Sequence, residues 1–226
     1  MAFDTSVTGS ALSSPLTITT LTIAANSNRL LVVPTNTRGT AGISTVTWNL
    51  VGLTKAIGVT HVGADTIEAA VWYLIAPASG NFNIVITSAG VADWITGCGI
   101  SLFDMAQTDI GDDTDSNSTG SGSSLSLAAF ASITDNCDLV DAFTTTAASA
   151  TMTAATGRVQ RMNLDAGNGD IGAASTIIGK TPAGSAAMEW TFSAGERGAL
   201  VAAAFKPVAG GDSVIIYAIT NRTHRR

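Results

Sequence analysis

Short segments that alternate apolar and polar residues recur along almost the whole chain. A period of two belongs to a strand with one buried face. Residues 16–23 alternate, with one break at Thr19-Thr20 that reads as a bulge or a change of face. Residues 29–33 follow and are closed by Pro34. Residues 43–48 place Ile43, Thr45 and Thr47 on one side and Ser44, Val46 and Trp48 on the other. Residues 67–75 carry Ile67, Ala69, Val71, Tyr73 and Ile75 on one side and read as a buried strand. Residues 77–81 form a turn, and alternation resumes from Phe82, so a hairpin is expected there. Further strands are expected over 94–103, 125–129, 139–145, 158–164, 187–192 and 199–205. In the segment Met188-Glu189-Trp190-Thr191-Phe192, the three large apolar residues share a face.

Composition closes off the other classes. Only 12% of the 226 residues are charged, with a net charge of −6 and three Glu and three Lys. A helical bundle needs many more Glu, Lys and Leu at helical spacing. A nucleic-acid binder needs a basic surface. Disorder is opposed by 46% apolar residues. Apolar runs such as 199–205 are far shorter than the ~20 residues that span a bilayer. The expected fold is therefore all-β, an antiparallel two-sheet β-sandwich of jelly-roll type. It occupies residues 1–207, and a C-terminal extension follows at 208–226. No tandem repeat of fixed period is visible. The start of the chain lacks the basic and apolar regions of a signal peptide, so synthesis in the cytoplasm is expected. Cys98 and Cys137 each sit in an apolar run and read as buried core residues.

Residues 111–124 hold no core-forming side chain and read as an exposed acidic loop. Asp113, Asp115 and Asn117 have the opening spacing of a calcium loop, but Ser118 and Ser124 replace its Gly and Glu. A solvated loop is expected, with an irregular Ca²⁺ site as the alternative and no other cofactor. The GxGxxG match at 167–172 and the Gly179-Lys180-Thr181 triplet are not followed by helix-forming sequence, so neither reads as a nucleotide site. No nucleophile elbow is present. Glu68, Glu189 and Glu196 have no acidic neighbour two residues on, and His61 and His224 are isolated. No enzyme activity is expected. Trp48, Trp72, Trp94 and Trp190 lie in apolar strands and read as core rather than as a sugar-stacking platform.

Three stretches together resemble a known family. They are residues 28–33 (Asn-Arg-Leu-Leu-Val-Val), residues 46–49 with Leu53-Thr54, and residues 71–87, from Val71-Trp72-Tyr73 to Ile86-Thr87. They resemble the jelly-roll, lectin-like sandwich proteins of tailed bacteriophages. Residues 202–207 look like that domain's closing strand. The resemblance implies a virion surface or appendage protein: a capsid-decorating or other surface-exposed subunit. The alternative is a carbohydrate-binding or adhesin module of a tail or fibre. The implied partners are other virion proteins and copies of the same chain, with a trimer one natural arrangement, and neither nucleic acid nor membrane. The extension beyond Pro207 carries a strand-like segment, 213–219, and a basic tail. Without Arg222, Arg225 and Arg226 the rest of the chain would be −9. Val214, Ile216, Tyr217, Arg222, Arg225 and Arg226 are the expected partner-binding residues. The strand would add to a partner's sheet edge and the arginines would grip carboxylates.

Overall fold

The computed structural model describes residues 2–63, 66–127, 134–153, 155–166 and 169–209. The partner-binding residues expected in the tail lie outside this set.

The expected all-β, antiparallel class is observed, but the strands form three hydrogen-bonded sheets rather than two. The first nine strands are β1 (Ala2–Ala11), β2 (Leu16–Ile23), β3 (Leu30–Gly39), β4 (Ile43–Trp48), β5 (Val51–Gly52), β6 (Thr54–His61), β7 (Thr66–Ile75), β8 (Gly80–Ser88) and β9 (Ala92–Phe103). They make an inner sheet, ordered β1-β9-β3-β7-β6, and an outer sheet, ordered β2-β8-β4-β5. Alternation explains the pairing of the two faces. Leu31 and Val33 from β3, and Ala70 and Trp72 from β7, meet Ile84 and Ile86 from β8 and Trp48 from β4 in one core. The neighbouring residues Leu30, Val32, Ala69 and Val71 point the opposite way into a second core.

The remaining strands are β10 (Gly111–Leu127), β11 (Cys137–Thr145), β12 (Ala150–Met152), β13 (Arg158–Asp165), β14 (Ile171–Lys180) and β15 (Met188–Phe205). They form a second inner sheet, ordered β10-β15-β11-β14-β13, with β12 paired to β15 off that path. Strands β10 and β15 are 17 and 18 residues long. Near Phe205, β15 lies between β10 and β11; near Met188, it lies between β10 and β12. Bulges between Thr119 and Ser124 mark the change. Beyond them Leu125, Leu127, Met188, Trp190 and Phe192 fold over the inner sheet onto Leu139, Phe143, Ala173 and Leu200. Gly198 sits at this fold. A Cβ there would lie 2.8 Å from Leu125 and 3.1 Å from Phe192.

The two halves therefore repeat one strand order. If β10 and β15 are each divided at their bends, β10-β15-β11-β14-β13 repeats β1-β9-β3-β7-β6, and the ribbon β10-β15-β12 repeats β2-β8-β4. Only β5 lacks a counterpart among the described residues. The bulges repeat as well. The β1–β9 ladder slips between Phe3 and Thr5, and the β10–β15 ladder between Gly111 and Asp113. The β6–β7 ladder slips between Lys55 and Ile57, and the β13–β14 ladder between Gln160 and Met162. Asn28 and Asn136, just ahead of β3 and β11, both have left-handed backbones, with φ 51° and 61°.

The halves stack inner sheet on inner sheet, burying Leu30, Val32, Ile100 and Leu102 against Val140, Val201, Ala203 and Phe205. Strand β6 lies against β10 and β15, and β1 lies against β13. Strand β7 meets β11 and β15 as β14 meets β3 and β9, with β3 against β11. This is the reciprocal pattern of a two-fold interface, here within one chain. A polar seam fixes the orientation. Buried Asn36 donates to the Phe143 carbonyl at 3.0 Å in the amide orientation that satisfies both of its ends. Buried Asp170 accepts from Arg38 Nη1 at 2.6 Å and Trp94 Nε1 at 2.9 Å.

Three local expectations are corrected. Residues 111–124 are strand rather than loop, because their backbone completes the edge of the second inner sheet beside β15. Strands β7 and β8 are not a hairpin. Both edges of β7 are taken by β3 and β6, so β8 crosses to the outer sheet and packs face to face. Strand β3 does not stop at Pro34 but runs through it, and its ladder to β9 passes from Val32–Ile100 to Thr35–Gly97.

Candidate functional site

Asp113, Asp115 and Asn117 lie in a row on β10, opposite Ala204, Ala202 and Leu200. Residues two apart on a strand stand ~7 Å from one another, whereas the oxygens of a calcium loop converge on one ion at ~2.4 Å. All three already serve local bonds: Asp113 and Asp115 accept from the amides of Thr114 and Ser116 at 2.9 and 2.8 Å. Asn117 donates to the Ser126 carbonyl at 3.1 Å. Among the described residues, no group of three or more His, Cys, Asp or Glu side chains is arranged to hold a metal ion.

A fully buried ion pair lies in the core of the second half, beneath the ribbon β10-β15-β12. Asp141 on β11 is fully buried and accepts from Arg158 Nη2 at 2.6 Å, Ser175 Oγ at 2.8 Å and Trp190 Nε1 at 3.0 Å. Arg158 also donates to Ser175 Oγ at 2.8 Å and to the Glu189 and Thr153 carbonyls at 2.6 and 3.1 Å. Burial pushes the Asp141 carboxyl up, and Arg158 with the other donors opposes this. Arg, Asp and Ser side chains can resemble a catalytic constellation. These three are closed off beneath the ribbon, and every polar atom of the Asp141 carboxylate is used to join β11, β13, β14 and β15. Their geometry is that of a cross-brace.

Asp138 differs. It is buried, and its Oδ1 accepts from the Gly179 amide at 2.7 Å. Its Oδ2 has no partner among the described residues. Burial raises its pKa to about 6, against the Gly179 hydrogen bond. Cys98 and Cys137 are free and buried as expected, and burial raises both thiols to about 12, so neither is a ready nucleophile at neutral pH. Residues Ile171–Lys180, where a dinucleotide site needs a helix, form strand β14, so the glycine pattern has no dinucleotide-binding context. Trp48, Trp94 and Trp190 are fully buried and Trp72 nearly so, which leaves no exposed tryptophan platform.

The accessible recess lies on the outer sheet of the first half. Asn81, Asn83 and Val85 alternate outward from β8, and Thr47 is the cross-strand neighbour of Val85. Strands β4 and β5 join through Asn49-Leu50, with φ 46° and 67°. Positive φ at both central residues is the geometry of the tightest hairpins. These residues and Phe82 line a groove of about 340 Å³. The alternation of 81–87 was legible in the sequence. The turn at Asn49-Leu50 was not, because Leu carries no turn signal.

A second recess, of about 560 Å³, lies between Asp104, Asn136, Ile178, Gly179 and Val208. Pro207 bridges to Met105, and the Val208 amide donates to the Asp104 carbonyl at 2.9 Å.

Compared with protein-family models, with the curated proteins and with the solved structures, the chain matches none of them.

Proposed function

We propose that this chain is a non-enzymatic structural subunit of a tailed-phage virion: a capsid-decorating or other surface-exposed subunit that acts through protein–protein contacts. The observation that carries the reading is the strand order. An inner path β1-β9-β3-β7 facing an outer path β2-β8-β4-β5 supports a jelly-roll reading of the first half, and all of these strands but β5 have counterparts in the second among the described residues. A jelly roll is the fold that the sequence resemblance implies. Fold alone hosts many roles, so two further observations matter. Buried charged side chains serve as internal braces, at Asp141–Arg158 and Asp170–Arg38. The last described residues, Val208 and Ala209, also line an open recess at the surface, and a partner of the extension would be met from there. In this reading several copies assemble, a trimer among the arrangements considered. Residues 213–219 pair with a partner's sheet edge, while Arg222, Arg225 and Arg226 bind its carboxylates.

The test is location. Purified particles labelled with an antibody against this chain should carry it on their surface in many copies. Its absence from intact particles would overturn the reading. Deleting 208–226 should leave a folded protein that no longer assembles or decorates. Normal assembly by the folded truncation would sink the anchor.

A further inference from the structure

We infer that the outer sheet of the first half is a two-fold interface with a second copy of this chain, in which Leu50 of each copy fills a groove on the other. This interface rests on the reading above that copies assemble, but involves neither the particle nor residues 208–226.

Charge singles out this sheet. Strands β2, β4, β5 and β8 contain no Asp, Glu, Lys, Arg or His. Their outward side chains are small, neutral and in part aliphatic. Thr17, Val85 and Thr47 stand side by side across three strands, and Val51 is 52% exposed at the edge. Sheets that face water guard their edges and faces with charge. Here both edge strands, β2 and β5, lack it. Strand β10, an edge of the second inner sheet, shows the contrast with Asp112, Asp113 and Asp115. Depletion of charge at the centre of a surface patch is a mark of protein–protein interfaces.

The β4–β5 tip points to what covers the patch. Leu50 has φ 67°, a left-handed conformation that its Cβ disfavours, and it is 94% exposed. Asn-Gly would make the same turn with neither strain nor apolar exposure. Strain kept at an exposed leucine is accounted for by a contact made outside its own chain. The receptor for that side chain lies on the same surface. Leu50 forms one wall of the groove of about 340 Å³, and Phe82 and Val85 are its other apolar lining. A knob beside a hole is self-complementary: a two-fold axis between them seats each Leu50 against Phe82 and Val85 of the other copy. The carboxamides of Asn49, Asn81 and Asn83 also line the groove and bond to no other described residue. Each amide both donates and accepts, so amide can meet amide across the axis. The net charge of −6 opposes contact between copies elsewhere, whereas this uncharged sheet lets two copies meet without like-charge repulsion.

The test is sedimentation of the full chain from about 1 to 300 μM, a range in which a dimer should form. L50D should raise its dissociation constant about 100-fold or more, and L50M should leave it within about threefold. L50N should weaken it at least about tenfold, yet raise the melting temperature of the dilute protein, because Asn accepts the left-handed turn more readily than Leu. Cross-linking reads the geometry. Oxidising a mixture of L50C and V85C chains should join one of each, because the native Cys98 and Cys137 are buried and do not compete. A chain that stays monomeric at the highest concentration would overturn the inference. So would a dimer that L50D and L50N leave intact, or a mixture that does not cross-link. Particle labelling reads the virion role separately, so surface-labelled particles built from a monomeric chain would keep that role and remove this interface.

Discussion

The first sandwich packs Val33, Trp72 and Leu53 together in its core. The second puts Asp141, Ser175 and Arg158 at the matching places. Val33 pairs with Trp72 as Asp141 pairs with Ser175. Leu53 and Arg158 each stand two residues before the partner of that second residue, Lys55 or Gln160. One frame thus tolerates an apolar cluster or a buried ion pair, provided each is complete. In the first core the tolerance comes from shape, with Trp48 and Phe82 in edge contact at 5.5 Å. In the second it comes from hydrogen bonds that use both Asp141 oxygens: Oδ2 accepts from Arg158, Ser175 Oγ and Trp190, and Oδ1 from the Ser175 amide. Specific packing and full polar satisfaction are two answers to the same burial problem.

The largest expected effect comes from breaking the second answer halfway. R158M leaves a buried, uncompensated carboxylate and should cost about 3–5 kcal/mol in urea unfolding. Installing the first core's residues as a pair, D141V/R158L, should recover most of that loss. If the double variant is as unstable as R158M, the equivalence of the two cores is wrong.

The interface between the halves comes next. A Cβ at Gly172 would lie 1.9 Å from Thr96 Oγ1 across the inner sheets. G172A should destabilise by about 1–3 kcal/mol through overpacking. T96S should not relieve it, since the hydroxyl remains; T96A should relieve part of it, as thermal melts of the two double variants would read.

A pH effect on the acid side of neutrality comes from the second half, at Asp138. The Asp138 pKa is raised from 3.8 to about 6 in the folded protein. Between these values the folded chain binds more proton than the unfolded one, so stability falls as pH rises from about 4 to 6 and then levels off. D138N keeps an oxygen for the Gly179 amide and loses the charge. It should flatten this part of the curve and raise stability above pH 6 by about 1–3 kcal/mol. An unchanged pH profile in D138N would show that Asp138 titrates normally. The smallest expected change is at the hairpin tip, where L50N should stabilise by about 0.5–1 kcal/mol.

Much of the strand content was legible because alternation is a local signal. Residues 67–75 and 188–192 show both faces directly, and all four tryptophans were readable as core. Strand β10 was not. Its Ser, Gly and Asp side chains look like a loop, and it is ordered as strand by the backbone of β15, which lies some 80 residues away in the chain. Nor was the Arg158 brace legible, although Asp138 and Asp141 interrupting the apolar run 137–143 were a visible irregularity. Partners across a sheet are set by register, which carries no local mark. The groove shows the same division. Asn81 and Asn83 alternate visibly, but Asn49 and Leu50 join them only through the β4–β5 turn.

The sequence by itself determined the class of this protein. With few charges and a period of two, its segments can bury apolar area only as strands packed face to face. Tertiary structure decided how many sheets there would be and that they follow one plan twice. No tandem repeat of fixed period announces the second sandwich, because bulges, pairing order and left-handed turns are properties of the backbone. Different side chains can satisfy them equally well, so the likeness of the two halves is written in their ladders and not in their letters.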